Sequence, residues 1–179
     1  MEESLIRIGE LSWTEVLSRW REGEASLPRW IEHYMNRGFG SWDEWRANTV
    51  HDLHGDKLAW ELFEAQDPSV VADFFAGPFR AWQKKYYAGP RMLRFKDLVQ
   101  DPALRKEAIV REMMERFPQE VFLVTLRTPE GIVVIEGMHR ACALAIMDAE
   151  GRLPKTRITV ALASFPGELP DMGQTDSPT

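Results

Sequence analysis

The residues with the clearest chemical potential lie together in the segment Glu-Gly-Met-His-Arg, from Glu136 to Arg140. Arginine offers a planar set of donors that suits phosphate oxygens, and histidine can donate a hydrogen bond or move a proton near neutral pH. A carboxylate beside them could take a proton from a hydroxyl, or hold Mg²⁺ between phosphates. We therefore identify Glu136 and His139 as candidate catalytic residues, and Glu136 as the candidate Mg²⁺ ligand.

The sequence on either side of this segment predicts a strand followed directly by a helix. The β-branched run Ile132 to Ile135 favours a strand, and the Ala- and Leu-rich run from His139 to Ala149 favours a helix. A helix that begins at a strand end presents unpaired amides and the positive end of its dipole, which bind anions. The predicted phosphate- and nucleotide-binding residues are Gly137, Met138, His139 and Arg140. For the isolated pattern, a surface ion pair between Glu136 and Arg140 is the alternative interpretation.

The neighbouring elements predict an α+β core over residues 101–165. A helix begins at Asp101-Pro102 and ends at Pro118, and a strand from Val121 to Leu126 leads through a Thr-Pro-Glu-Gly turn into the next strand. After the motif and its helix, the segment from Thr156 to Leu162 alternates apolar and polar residues, as a half-buried strand does.

This motif in this order of elements resembles the ParB/sulfiredoxin-like superfamily, over roughly residues 101–163. An acid followed by Gly-x-His-Arg, as at Glu136 to Arg140, is similar to its ParB-like kinases and uncharacterised members. The resemblance implies a small mixed sheet with helices that binds ATP or ADP, or alternatively CTP, with Mg²⁺ and the motif at the phosphates. Met138 stands where sulfiredoxins have their catalytic cysteine, so sulfiredoxin chemistry is not expected.

Three classes of function follow from the resemblance. The first is a phosphotransferase or nucleotide hydrolase that acts on an unknown small-molecule acceptor. The second is a non-catalytic module that binds a nucleotide or a protein partner. The third is a DNA-associated nuclease, which is disfavoured because the net charge is −6 and no helix-turn-helix follows the core.

Residues 1–100 predict a helical region, rich in tryptophan, that packs on the core. All seven tryptophans precede residue 83, mostly at helical spacing, which favours core positions. Capping-box patterns begin at Ser12 and Ser41, and Pro28 suits a first helical position. We also expect a helix after Asp56, with Leu58, Ala59, Leu62 and Phe63 on one face, and a short strand at residues 4–9. Residues 166–179 are predicted to form a disordered tail.

Composition limits the remaining possibilities. Cys142 is the sole cysteine and is predicted to be buried, which rules out an internal disulfide and a thiolate metal cluster. No apolar run approaches the roughly 20 residues that span a bilayer, and the acidic start lacks a signal pattern, so we expect a cytoplasmic protein without a membrane partner.

Two further clusters have a functional and a structural interpretation. The first contains metal-ligand residue types, although Gly55 favours a solvated loop there; its members are His51, Asp52, His54 and Asp56. The second is basic and predicts either a cleft for an anion or a solvated face; its members are Arg80, Lys84, Lys85, Arg91, Arg94 and Lys96.

Overall fold

The computed structural model describes residues 4–173, and its strands form one six-stranded mixed sheet. The strands are β1 Leu5–Leu11, β2 Trp60–Ala65, β3 Phe75–Ala76, β4 Glu120–Thr128, β5 Gly131–Glu136 and β6 Arg157–Ser164. Their order across the sheet is β1-β2-β6-β4-β5-β3. The pairs β4–β6 and β3–β5 are parallel and the other pairs are antiparallel. The prediction of a mixed α and β protein is confirmed.

Helices cover both faces of this sheet. The α-helices are α1 Trp13–Glu24, α2 Pro28–Met35, α3 Trp42–Thr49, α4 Arg80–Trp82, α5 Phe95–Leu98, α6 Pro102–Arg105, α7 Ala108–Glu115 and α8 Met138–Ala149. A π-helical turn, Gln83–Tyr87, continues α4, and 3-10 turns span His51–Leu53, Gly55–Lys57 and Pro68–Asp73.

Alternation along the central strands builds two apolar layers. Leu123 on β4 faces the layer that contains α5, α7 and α8, whereas its neighbour Val124 faces the layer of α1 and α3. Trp20 and Trp45 fill the second layer. The sheet is therefore covered on one side by α5, α7, α8 and the 3-10 turn Pro68–Asp73, and on the other by the tryptophan-bearing helices.

The predicted helix starts are largely confirmed. The Ser12 side chain accepts from the Glu15 amide and the Glu15 carboxylate accepts from the Ser12 amide, which completes a capping box. Pro28 is the first residue of α2. At α3, Ser41 accepts from the Glu44 amide, but the Glu44 carboxylate bonds the Gly40 amide instead of closing the box.

The prediction of a helix after Asp56 is wrong. Residues Trp60–Ala65 form β2, which lies between β1 and β6 and pairs with both. The local spacing of Leu58, Leu62 and Phe63 suits a helix, but pairing on two sides satisfies the backbone of these residues in the sheet. With β1 and β3, this strand gives the first hundred residues three of the six strands, so that region is not purely helical. The short predicted strand at residues 4–9 is confirmed by β1.

Two other predictions need correction. The helix expected from Asp101 to Pro118 is divided into α6 and α7, with Lys106 and Glu107 between them. The predicted disordered tail fails for its first part, because Leu169 and Met172 are buried and the Met172 amide donates to the Pro78 carbonyl. Residues 174–179 lie outside the described residues. Within residues 4–173, every helix is too short or too polar to cross a bilayer.

Candidate functional site

Gly137 joins β5 to α8 and has to be a glycine for two reasons. Its φ of +96° lies in the left-handed region, which side-chain-bearing residues rarely adopt. A Cβ at this position would also overlap the Leu123 side chain. The chain therefore turns sharply from strand into helix, and no side chain caps the first turn of α8.

This helix start opens into a cleft of about 850 Å³. The motif residues Glu136 to Arg140 all line it. Its aromatic side chains include Trp30, Trp45, Trp82 and Tyr86. Its basic side chains are Arg37, Arg46, Arg80, Lys84, Lys85 and Arg140. Four carboxylates also line it: Glu24, Glu107, Glu120 and Glu136. The predicted site residues are thus brought together in one aromatic cavity that carries charges of both signs.

Glu136 is buried in the wall of this cleft, with 7% of its surface exposed. Arg140, one helical turn later, donates to its Oε1, whereas its buried Oε2 has no hydrogen-bond partner in the part of the chain described. Burial raises the pKa of Glu136 to about 7 and outweighs the opposing charge of Arg140. A carboxyl group with this pKa exchanges its proton readily near neutral pH.

His139 lies between two half-buried tryptophans. Its ring centroid is 5.9 Å from that of Trp30 and 5.1 Å from that of Trp82. Burial lowers the pKa of His139 to about 4, although the charge of Glu107 opposes this. The imidazole is therefore neutral at neutral pH and can donate or accept a hydrogen bond without contributing charge.

Glu24 and Arg46 form a buried ion pair that the sequence did not indicate. Arg46 donates to both Glu24 oxygens, and the Trp42 indole donates to Glu24 Oε2 at 2.7 Å. The Arg46 guanidinium stacks 3.6 Å above the Trp45 ring centroid. Glu24 is the last residue of α1 and Arg46 lies in α3, so only the packing of α1 against α3 brings the pair together.

Glu107 is a further carboxylate of the cleft that is held by hydrogen bonds. Glu107 accepts from Lys85 Nζ at 2.9 Å and from the Tyr86 hydroxyl at 2.8 Å. These bonds hold the pKa of Glu107 below its usual range, and the bond from Lys85 has the largest effect. The π-helical turn 83–87 places both donors, and π-helical turns are frequent at functional sites.

The basic cluster predicted from the sequence is divided by the structure. Arg80, Lys84 and Lys85 line the cleft. The other three form ion pairs elsewhere: Arg91 with Asp171, and both Arg94 and Lys96 with Asp73. Only the first three members of the cluster could contribute to a cleft for an anion.

The tryptophans have two roles rather than the single one expected. Trp20, Trp42, Trp45 and Trp60 are buried, which confirms their predicted core positions. Trp45 lines the cleft as well, together with the half-buried Trp30 and Trp82, which lie on either side of His139. Cys142 is fully buried as expected, and burial raises the pKa of its thiol.

No metal-binding cluster exists among residues 4–173, since no three His, Cys, Asp or Glu side chains there are grouped to hold an ion. His51 and His54 lie in a loop beside a smaller cavity of about 440 Å³. The backbone of His54 is in the left-handed region, with a φ of +46°. Glu136 Oε2 is the single buried, unpartnered carboxylate oxygen within these residues. Bound Mg²⁺ would take its other ligands from phosphate oxygens and water, which is how this ion commonly binds.

Comparison with known proteins gives no significant match to a family model, to a curated protein or to a solved structure. The order of elements expected from Val121 to Leu162 is confirmed. The ParB/sulfiredoxin-like resemblance itself stays a prediction, based on the motif and on this order.

Proposed function

We propose that the cleft binds a nucleotide, ATP or ADP in the first place, and that the protein is a phosphotransferase or nucleotide hydrolase. One observation carries the proposal. The uncapped start of α8, Arg140 and the buried, unpartnered oxygen of Glu136 all face one cleft with aromatic walls. This arrangement combines an anion site, a proton acceptor and surfaces on which a planar base can stack.

In this proposal the phosphates bind to the first amides of α8 and to Arg140. The arriving phosphate competes with Glu136 for the Arg140 guanidinium, which frees the carboxylate to accept a proton from an acceptor hydroxyl or from water. Neutral His139 donates a hydrogen bond to a phosphate oxygen, and Trp30 and Trp82 contact the base. Alternatively, Glu136 would hold Mg²⁺, and the ion would supply charge neutralisation for the transferred group.

The second candidate is a non-catalytic module that binds a nucleotide or a protein. The bond between Arg140 and Glu136 favours this candidate, because it pairs the two charged motif residues with each other in the absence of a ligand. A nuclease remains disfavoured by the net charge of −6.

Thermal unfolding with Mg²⁺ and ATP, ADP, CTP or GTP in turn tests nucleotide binding. A ligand at about 100 times its Kd stabilises the fold by about 2.7 kcal/mol, which corresponds to a rise of roughly 5–10 °C for a chain of this size. We expect a rise with ATP or ADP in the wild type and in Arg111→Ala, a surface control outside the cleft, but not in Arg140→Ala. If no nucleotide raises the midpoint of the wild type, the proposal is wrong.

The Glu136→Gln variant separates the two candidates. An enzyme should keep the thermal shift and lose nucleotide turnover, since glutamine preserves the shape of the side chain but cannot accept the proton. A binding module should show no turnover in the wild type with any acceptor or with water.

A further inference from the structure

Arg37 differs from the three other arginines that line the cleft. Arg46 is bonded to Glu24, Arg80 donates to the Gly173 carbonyl at 2.6 Å, and Arg140 is bonded to Glu136. The Arg37 side chain, in the turn after α2, has neither a hydrogen bond nor an ion pair with any residue between 4 and 173. Arg37 is exposed to solvent and lines the cleft from its outer side, so its unpaired guanidinium offers five donors to an entering ligand.

The surroundings of Arg37 are positively charged. Partial burial, and then the charge of Arg46, lower its pKa, and both arginines also act to lower the pKa of His33. The nearby carboxylate cannot compensate, because Glu24 already accepts bonds from Arg46 on both oxygens and from Trp42. An anion that bound here would relieve the repulsion between the two arginines.

Arg37 lies on a different element from the start of α8, because it follows α2, the helix that brings Trp30 into the same cleft. The wall beside Arg37 is aromatic: the Trp45 ring centroid lies 5.3 Å from that of His33 and 5.9 Å from that of Trp30. A ligand with an apolar or planar body and one anionic group fits this end.

We infer that Arg37 is the anchor of a second anion subsite, which holds a carboxylate or a phosphate monoester on the acceptor molecule. The assignment to an acceptor rests on the proposed function, because it assumes that a nucleotide occupies the start of α8. Arg37 then fixes the anionic end of the acceptor, and the remainder of that molecule extends along Trp30 and Trp45 toward Glu136. The acceptor is thereby an anionic small molecule, not a neutral one.

The test measures binding of phenyl phosphate and of benzoate by titration calorimetry, with and without saturating ADP. The proteins are the wild type, Arg37→Ala, Arg37→Lys, Arg140→Ala and the surface control Arg111→Ala. Loss of one charge-assisted contact should weaken binding of the preferred probe about tenfold or more in Arg37→Ala. Arg37→Lys should retain part of the affinity, Arg140→Ala should lose less affinity than Arg37→Ala, and the surface control Arg111→Ala should bind the probe as the wild type does. Since Arg37 has no partner to lose, Arg37→Ala should unfold at the wild-type temperature.

Several results would overturn this inference. They are the absence of probe binding to the wild type, unchanged binding in Arg37→Ala, and binding that is lost equally in Arg140→Ala. Which probe binds more tightly distinguishes a carboxylate from a phosphate ligand. If probe binding depends on Arg37 while no nucleotide shifts the unfolding temperature, the anion subsite is supported and the nucleotide-binding function is wrong.

Discussion

Glu136 should destabilise the folded protein at neutral and alkaline pH. Its pKa lies at about 7 in the fold against 4.5 in an unfolded chain. At about 1.4 kcal/mol for each pH unit, the ionised carboxylate costs the fold about 3 kcal/mol once the pH exceeds the folded value. Below about pH 4.5 the group is protonated in both states and the cost disappears. Stability linked to Glu136 therefore falls as the pH rises from 4.5 to 7.

The perturbation is Glu136→Gln, and the assay is urea unfolding of variant and wild type from about pH 4 to about pH 8, followed by tryptophan fluorescence. Packing changes and the altered bond to Arg140 contribute equally at all pH values, so only the change in the stability difference reports on the titration. As the pH rises across this range, the free energy of unfolding of the variant should increase relative to that of the wild type by about 3 kcal/mol, which corresponds to roughly 1–2 M in the urea midpoint.

Glu64→Gln is a matched control of opposite sign. Its bond to Arg157 lowers the pKa of exposed Glu64, so the stability it contributes is present above its unfolded value and is lost as the pH falls. This variant should lose stability relative to the wild type as the pH rises. If Glu136→Gln behaved in the same way, the charge of Arg140 would outweigh burial, and Glu136 would be an ordinary ion-pair partner and a poor proton acceptor.

Two further predictions concern the backbone turn and the buried ion pair. Gly137→Ala should lower the free energy of unfolding by at least about 1–3 kcal/mol because of left-handed backbone strain alone, and by more because the added Cβ overlaps a neighbouring side chain. The control is Gly23→Ala, which lies within α1 and has no atom within 4 Å of the added Cβ. This control should be neutral or stabilising in thermal unfolding. Glu24→Ala should cost about 3–5 kcal/mol in urea unfolding, because it leaves the Arg46 charge buried without a partner. Glu24→Gln keeps a hydrogen-bond acceptor and should therefore lose less stability than Glu24→Ala. If both variants lost less than about 1 kcal/mol, the Glu24–Arg46 pair would contribute no more than an ion pair at the surface.

Local signals in the sequence were sufficient to locate the candidate site. The β-branched run before Glu136 and the Ala-rich run after His139 predict the strand and the helix, and the glycine between them marks the turn. Capping at Ser12 is equally local, because its partners lie within three residues. Features of this kind depend on neighbours in the chain and not on the tertiary fold.

The rest of the site depends on contacts between distant segments. Burial of Glu136 decides its pKa, and no residue near it in the sequence reveals that burial. Glu24 contacts Arg46 only after α1 and α3 pack on the sheet. That Arg37 has no ion pair, unlike other arginines of the cleft, also depends on the tertiary fold. The strand β2 was mistaken for a helix for the same reason, since its pairing with β6 joins residues far apart in the sequence.

The position of β2 between β1 and β6 has a consequence for how the chain folds. Trp60–Ala65 can pair with β1 early in synthesis, but its other partner, Arg157–Ser164, emerges from the ribosome much later. Until then the β1–β2 pair exposes the edge of β2 that β6 later covers, and such edges invite pairing with other chains. Contacts so distant in sequence also make folding slow, since a long loop must close before they form. The assembly of the sheet, and with it of the cleft, should therefore be a late event that follows synthesis of β6.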